Sequence, residues 1–207
     1  MQAELFDLPP VVPGLGFQEA IISPNEEDAL IREIARIDLP HFPFQGWTSK
    51  RRTRSFGWLY DFNSADFGPT DPIPAFLLSL KSRAAGFAGV SDDDLVQVSV
   101  IKYEPGAGIG WHKDRPELDA VIGISLGSSA TMRFRRRSKD RFDRASLFLP
   151  PRSIYHLDGD VRHEWEHSIA PGTETRWSIT FRGLSAKGKR KADRAATDGA
   201  TIGTLEN

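Results

Sequence analysis

An α+β fold, mainly β, is predicted for this 207-residue chain by three observations. Helical periodicity occurs twice before residue 95 and nowhere after it. Beyond that point short apolar runs follow one another, separated by turn residues. That spacing argues for an antiparallel sandwich or barrel rather than βαβ units. The composition, 39% hydrophobic and 27% charged, is that of a globular domain. A chain of this size buries roughly 70% of its unfolded surface, so its core needs no disulfide or structural metal.

The elements follow in order. Residues 1–18 are rich in Pro and Gly and read as an irregular lead-in. In SPNEEDALIREIARI, Ser23 is a candidate N-cap and Pro24 takes the first helical position. Ala29, Leu30, Ile34 and Ile37 then recur at helical spacing. A second helix is expected over Ile73–Ala88, and between the two lies an aromatic and basic stretch, 42-FPFQGWTSKRRTRSFGWLYDF-62. Strands are expected at 96–103, 120–126, 131–135, 146–150, 165–170 and 176–182. Residues 1–95 thus form an N-terminal extension integrated with a β-core over 96–184. Residues 185–207 lose periodicity and are expected to be disordered.

Charge and composition exclude several classes. There is no cysteine, which removes disulfides, thiolate nucleophiles and zinc-thiolate sites together. No apolar run approaches 18 residues and no leader pattern follows Met1, so a soluble, cytoplasmic monomer without a membrane partner is expected. The net charge is −1, yet cations cluster locally. Residues 133–144 carry seven basic side chains against two aspartates, and 187-KGKRKADR-194 carries five against one.

The chemistry starts at His112-Lys113-Asp114, in GWHKDRP. Residues i and i+2 of a strand share a face, so an imidazole and a carboxylate can stand side by side, with Lys113 turned away. One further histidine would complete a two-His, one-carboxylate face, the donor set of non-haem Fe(II) oxygenases. His156, His163 and His167 are the candidates. His167 leads because WEHSIA reads as a strand, whereas His156 follows Pro150-Pro151-Arg152 and reads as part of a turn or as a residue behind the ligands. Downstream, alternation in 176-RWSITFR-182 places Arg176, Ser178, Thr180 and Arg182 on one face. Two arginines facing a β-core need an anion, and a dicarboxylate accepts a guanidinium fork well; the competing reading is an exposed outer face or salt bridges within the protein.

In this order, KYEPGAGIGWHKD, IGISLG, WEHSIAP and RWSITFR resemble the AlkB family of Fe(II)/2-oxoglutarate dioxygenases over roughly residues 96–183. The resemblance implies a double-stranded β-helix, or jelly roll, with the N-terminal helices packed on it. It implies Fe(2+), 2-oxoglutarate and O2 as cofactors and His112, Asp114 and His167 as catalytic iron ligands. Arg176 would hold the distal carboxylate of 2-oxoglutarate with Tyr103 as its partner. Ser178 belongs to the same network, and Arg182 would lie near the other carboxylate. Family members often carry Asn at the positions of Ile101 and Ser178. DNA-repair members carry an acid where this chain has Pro116.

The implied reaction is oxidative demethylation of N-alkylated bases in DNA or RNA, of the alkylation-repair type, releasing formaldehyde, succinate and CO2. The alternative is a hydroxylase or demethylase acting on a protein side chain or small metabolite, because fold does not settle substrate. The segment 50-KRRTRSFGWLYDF-62 occupies the place of a nucleotide-recognition lid and suits phosphate contact and base stacking. Arg54, Phe56, Trp58, Tyr60 and Trp111 are accordingly the candidate substrate-binding residues. An aromatic core strand with a basic approach is the competing reading of that segment. The run 133-RFRRRSKDR-141 reads as a hairpin loop.

Overall fold

The computed structural model describes residues 12–44, 47–60 and 67–193. The chain runs β1 (Leu15–Gln18), α1 (Pro24–Ile34), β2 (His41–Phe44), β3 (Trp47–Phe56), β4 (Trp58–Tyr60) and β5 (Phe67–Pro69). Then come α2 (Leu78–Ala88), β6 (Leu95–Tyr103), β7 (Ile109–His112), β8 (Leu118–Gly127), β9 (Ala130–Ser138) and β10 (Arg141–Leu149). β11 (Ile154–Leu157), α3 (Gly159–His163), β12 (Glu166–Ile169) and β13 (Arg176–Leu184) complete it.

Two antiparallel sheets face each other, one in the order β1-β11-β8-β13-β6-β3-β2 and one in the order β10-β9-β12-β7. Alternation along each strand divides the apolar residues between two cores. Ile122, Ile124, Ile179, Phe181, Val98 and Val100 leave the large sheet on one side and meet Leu30, Ile34, Leu80 and Ala84 of the helices. Val121, Tyr155 and Leu157 leave it on the other and meet Met132, Phe134, Leu149 and Ile169 of the small sheet. A layer of helices over a jelly roll results.

Local chemistry explains the helix ends. Glu26 N–H donates to Ser23 Oγ at 3.3 Å while Ser23 N–H donates to the Glu26 carboxylate at 2.8 Å, a reciprocal capping box. Gly89, at φ 68°, takes the left-handed position that ends α2.

Three expectations need correction, and one stretch that the sequence left open takes a definite form. The 42–62 stretch supplies β2, β3 and β4, and β3 extends the large sheet by pairing with β6. His156 lies on β11 rather than in a turn, because that short strand fills the space between β1 and β8. The arginine run is not a loop: nine residues of β9 pair with nine of β10, and only Lys139 and Asp140 make the turn. Residues 186–193 are helical where composition suggests disorder. Ser185 accepts from Gly188 N–H at 3.1 Å and donates to the Pro116 carbonyl at 2.7 Å, while Lys187 pairs with buried Glu117 at 2.9 Å. Tertiary docking supplies what a polar tail lacks on its own. Residues 194–207 lie outside the described residues.

Candidate metal centre

The large sheet presents a ladder of rungs toward the small one. Tyr103, Arg176 and Gly127 stand in one row, followed by Ile101, Ser178 and Ser125. Ser99, Thr180 and Gly123 form the third row, and Gln97, Arg182 and Val121 the fourth. Both arginines of RWSITFR therefore face the interior. Tyr155 on β11 lies across the third row, and a Cβ on Gly123 would come within 2.1 Å of its ring. Only glycine leaves room there for the tyrosine.

Opposite, β7 and β12 pair with His112 directly across from His167. Asp114 follows just beyond the end of β7. One donor atom from each of the three lies within 4.8 Å of the others. His112 Nδ1 sits 2.8 Å from the Gly110 carbonyl, which can only accept, so Nδ1 carries the proton and Nε2 is free as a ligand. Burial pushes the His167 imidazole down to about 4, against a smaller opposing pull from Asp114. It is therefore neutral at pH 7. Burial would raise the Asp114 carboxyl, but Arg182, His167 and His112 more than offset it and hold it well below the usual range.

The same carboxylate shows why the cluster suits a cation. Its Oδ1 accepts from Arg182 at 3.0–3.1 Å. Its Oδ2 is buried and has no hydrogen-bond partner among the described residues, lying 3.5 Å from His167 Nε2. A bare carboxylate oxygen in the interior is costly. Two imidazoles and one ionised carboxylate on one side of a site match Fe(II) and leave its other side open.

Arg176 offers a second unpaired group. It is 4% exposed, donates from Nε to Ser125 Oγ at 3.0 Å, and stacks 5.1 Å from the centre of the Tyr103 ring. Its Nη1 is buried without a partner among the described residues. A cavity of about 210 Å³ adjoins it, lined in part by Tyr103, Ile169 and Arg176. Ser178, 3% exposed, stands in the next row of the same face. An anionic group entering there would meet a guanidinium edge that the protein leaves unmatched.

Two residues that no sequence pattern marks support the site. Arg162 on α3, 4% exposed, donates to the carbonyls of Asp119, Arg115 and Leu118 at 2.6–2.9 Å and reaches that of Asp114 at 3.5 Å. It clamps the loop that carries Asp114. No periodicity points to it, since it sits in a five-residue helix with a polar sequence. Arg51 is the other. Alternation along β3 sets it on the inner face with Thr53 and Ser55, where burial draws its guanidinium down beside Tyr103 and Arg182.

The substrate-binding candidates fare differently. β3 pairs Ser55 with Ser99 and Thr53 with Ile101, so Arg51, Thr53 and Ser55 share the inner face. Arg54 and Phe56 consequently point to the helix side: Phe56 is buried in that core, and Arg54 lies over its ring and pairs with Asp71 at 2.7 Å. A one-residue offset in the pleat exchanges the two sets. Trp58 stacks on Phe67 at 5.3 Å, and its carbonyl accepts from Gln97 Nε2 at 2.8 Å. The side chain of Tyr60 lies outside the described residues. Trp111 neighbours His112 and therefore leaves β7 on the opposite, outer face, under Arg133 and Arg135. Lys113 turns away, donating to the His163 carbonyl at 2.7 Å. His163 and His156 stay outside the cluster.

A sequence profile of the 2OG-Fe(II) oxygenase superfamily matches residues 27–189. The tRNA (carboxymethyluridine(34)-5-O)-methyltransferase ALKBH8 of Mus musculus is 30% identical over 168 residues, 77% of this chain and 24% of that protein. The alkylated DNA repair protein ALKBH8 homolog of Arabidopsis thaliana is 26% identical over 184 residues, 76% of this chain and 51% of that one. The chain thus spans about a quarter and about half of their lengths. The alpha-ketoglutarate-dependent dioxygenase AlkB of Escherichia coli K12 is 29% identical over 155 residues, 69% of this chain and 68% of its own. In three dimensions the solved structure of OsALKBH1 superposes with a TM-score of 0.62 at 16% identity, covering 84% of this chain and 99% of that one. At that identity the likeness speaks for the fold.

Proposed function

Because the chain belongs to the 2OG-Fe(II) oxygenase superfamily and is a dioxygenase using Fe(2+), 2-oxoglutarate and O2, we propose that it demethylates N-alkylated bases in nucleic acid. The observation that carries the chemistry is the His112–Asp114–His167 cluster with its bare Asp114 Oδ2. What supports the substrate is the likeness to relatives whose names specify tRNA and alkylated DNA repair.

In this reading His112, Asp114 and His167 hold the iron. Iron held there would supply the activation of O2, coupled to the oxidation of 2-oxoglutarate to succinate and CO2. Arg176 receives the distal carboxylate of 2-oxoglutarate on its unmatched Nη1, and Tyr103 flanks it through the ring stack. Ser178 offers one hydroxyl from the next rung. Arg182, tied to Asp114 Oδ1 and to Ser99 Oγ at 3.1 Å, holds the carboxylate ligand in one orientation and keeps it ionised. Hydroxylation of the N-methyl carbon lets it leave the base nitrogen as formaldehyde. The target base must be extruded or single-stranded to enter.

The test is formaldehyde release from methylated single-stranded DNA and RNA with Fe(II) and 2-oxoglutarate. Wild-type protein should release it on at least one polymer. His112→Ala and Asp114→Ala should lose at least ~100-fold in turnover, on the order expected when an essential group is removed. Full activity in either variant sinks the ligand assignment. Succinate production without activity on either polymer would redirect the search to protein or metabolite substrates.

A further inference from the structure

The back of the small sheet carries a surface that the metal centre does not use. On β9, Met132 and Phe134 enter the core, so Arg133, Arg135 and Arg137 leave on the outer face. The register sets Ser146, Arg144 and Phe142 of β10 beside them on one flank, and Ser168 and Glu166 of β12 on the other. Arg136 has the opposite direction and lies 4.9 Å over Trp165. The outer face therefore gathers four arginines, 133, 135, 137 and 144, of which 133, 137 and 144 are exposed. Glu166 is the acid beside them and is taken by Arg135 at 2.6 Å.

Aromatic rings are threaded between these cations. Arg133 and Arg135 lie 5.2 and 4.5 Å from the centre of Trp111, and Arg135, Arg137 and Arg144 lie 4.9, 5.8 and 5.5 Å from that of Phe142. Like charges side by side on a sheet repel, so this concentration costs stability unless a polyanion meets it. Guanidinium forks suit phosphate, and flat rings between them suit bases. The location matters as well. β7 is the edge strand, and its consecutive residues Trp111 and His112 point to the outer and inner faces. One strand separates the patch from the metal centre.

We propose that this Arg133–Arg135–Arg137–Arg144 face, with Trp111 and Phe142, binds single-stranded nucleic acid flanking the base presented at the metal centre, wrapping around the β7 edge. The proposal rests on the nucleic-acid reading above and adds a second contact surface to it. An acidic protein segment is the rival occupant.

The experiment uses the full chain and a labelled, unmethylated 20-nucleotide single strand, with binding followed by anisotropy between 50 and 200 mM salt. Arg137→Glu/Arg144→Glu should weaken binding at least tenfold at low salt. It should also flatten the salt slope by about 1.4, at about 0.7 for each phosphate no longer neutralised. Turnover of a methylated trinucleotide, too short to reach the patch, should stay unchanged while that of a methylated 20-mer falls. The neutral pair Arg137→Gln/Arg144→Gln should show the same direction with a smaller loss, which keeps the test informative if charge reversal disturbs folding. A wild-type chain that binds the strand, with variants of equal affinity and slope, overturns the second surface alone. Polyglutamate bound as tightly as the strand, and lost in the same variants, overturns it in favour of an acidic protein. No binding and no formaldehyde from any polymer overturns both readings.

Discussion

Arg162 shows how one side chain can shape a site it does not enter. Four of its five N–H donors are used, three on carbonyls of residues 115, 118 and 119 and one on that of 114 at longer range. The backbone that carries Asp114 is therefore held by Arg162, and its carboxylate by Arg182. Arg162→Ala would leave several buried carbonyls unmatched and free the ligand loop. Metal affinity should fall about 10–100-fold, as for other groups that orient ligands. Titration with Co(II), read by its absorbance, should detect this, and Arg162→Lys should rescue little because an ammonium cannot span the same carbonyls. Affinity unchanged in Arg162→Ala would show that the loop is held without it. His112, Asp114 and His167 were readable as a pattern because residue type and spacing carry that information. Arg162 was not, because a buried arginine is identified by what surrounds it, and Arg51 was only one of several cations in a basic stretch.

At the scale of the element, β3 and β11 teach the most. β3 reads as basic and aromatic in either register, and pairing with β6 alone selects Arg51, Thr53 and Ser55 for the interior over Arg54 and Phe56. β11 is four residues long, too short to show alternation, yet it presents Tyr155 to the interior and His156 to the other side, near Phe87. Burial lowers the His156 imidazole from its usual 6.5, with Asp158 opposing. The folded state thus resists a proton that the unfolded chain accepts. Stability should be complete above about pH 6.5 and decline as pH falls below it. Urea unfolding at pH 7.5 and 5.5 should reveal a drop that shrinks in His156→Leu. An identical drop in the variant would assign the effect to other groups.

For the whole molecule, the layers divide the work. The helices cover one side of the large sheet, the small sheet covers the other, and the metal centre forms where β7, β12 and β13 approach between the sheets. Among the described residues no helix is long and apolar enough to cross a membrane. The donors come together only in the folded state, so a bound ion stabilises that state. At 100 times its Kd, a divalent ion such as Mn(II) should add about 2.7 kcal/mol. For a domain of this size that corresponds to a rise in Tm of roughly 5–10 °C. Thermal unfolding with and without Mn(II) checks this, and His112→Ala should abolish the rise. An equal rise in that variant would place the ion elsewhere.

Local order along the chain was enough for the fold class, for six of the eight strands of the β-core in outline and for the Ser23 cap, because alternation, periodicity and capping act over a few neighbours. It was also enough for the family, whose motifs are contiguous. Which face a residue occupies was decided by pairing between distant strands. That is why Trp111 and Phe56 proved to lie away from the metal cluster, and why the arginines of 133–144 stand on a sheet rather than in a loop. The helix at 186–193 likewise depends on Pro116 and Glu117, some seventy positions earlier. A pattern of period two specifies that two faces exist; only the neighbouring strand determines which of them is inside.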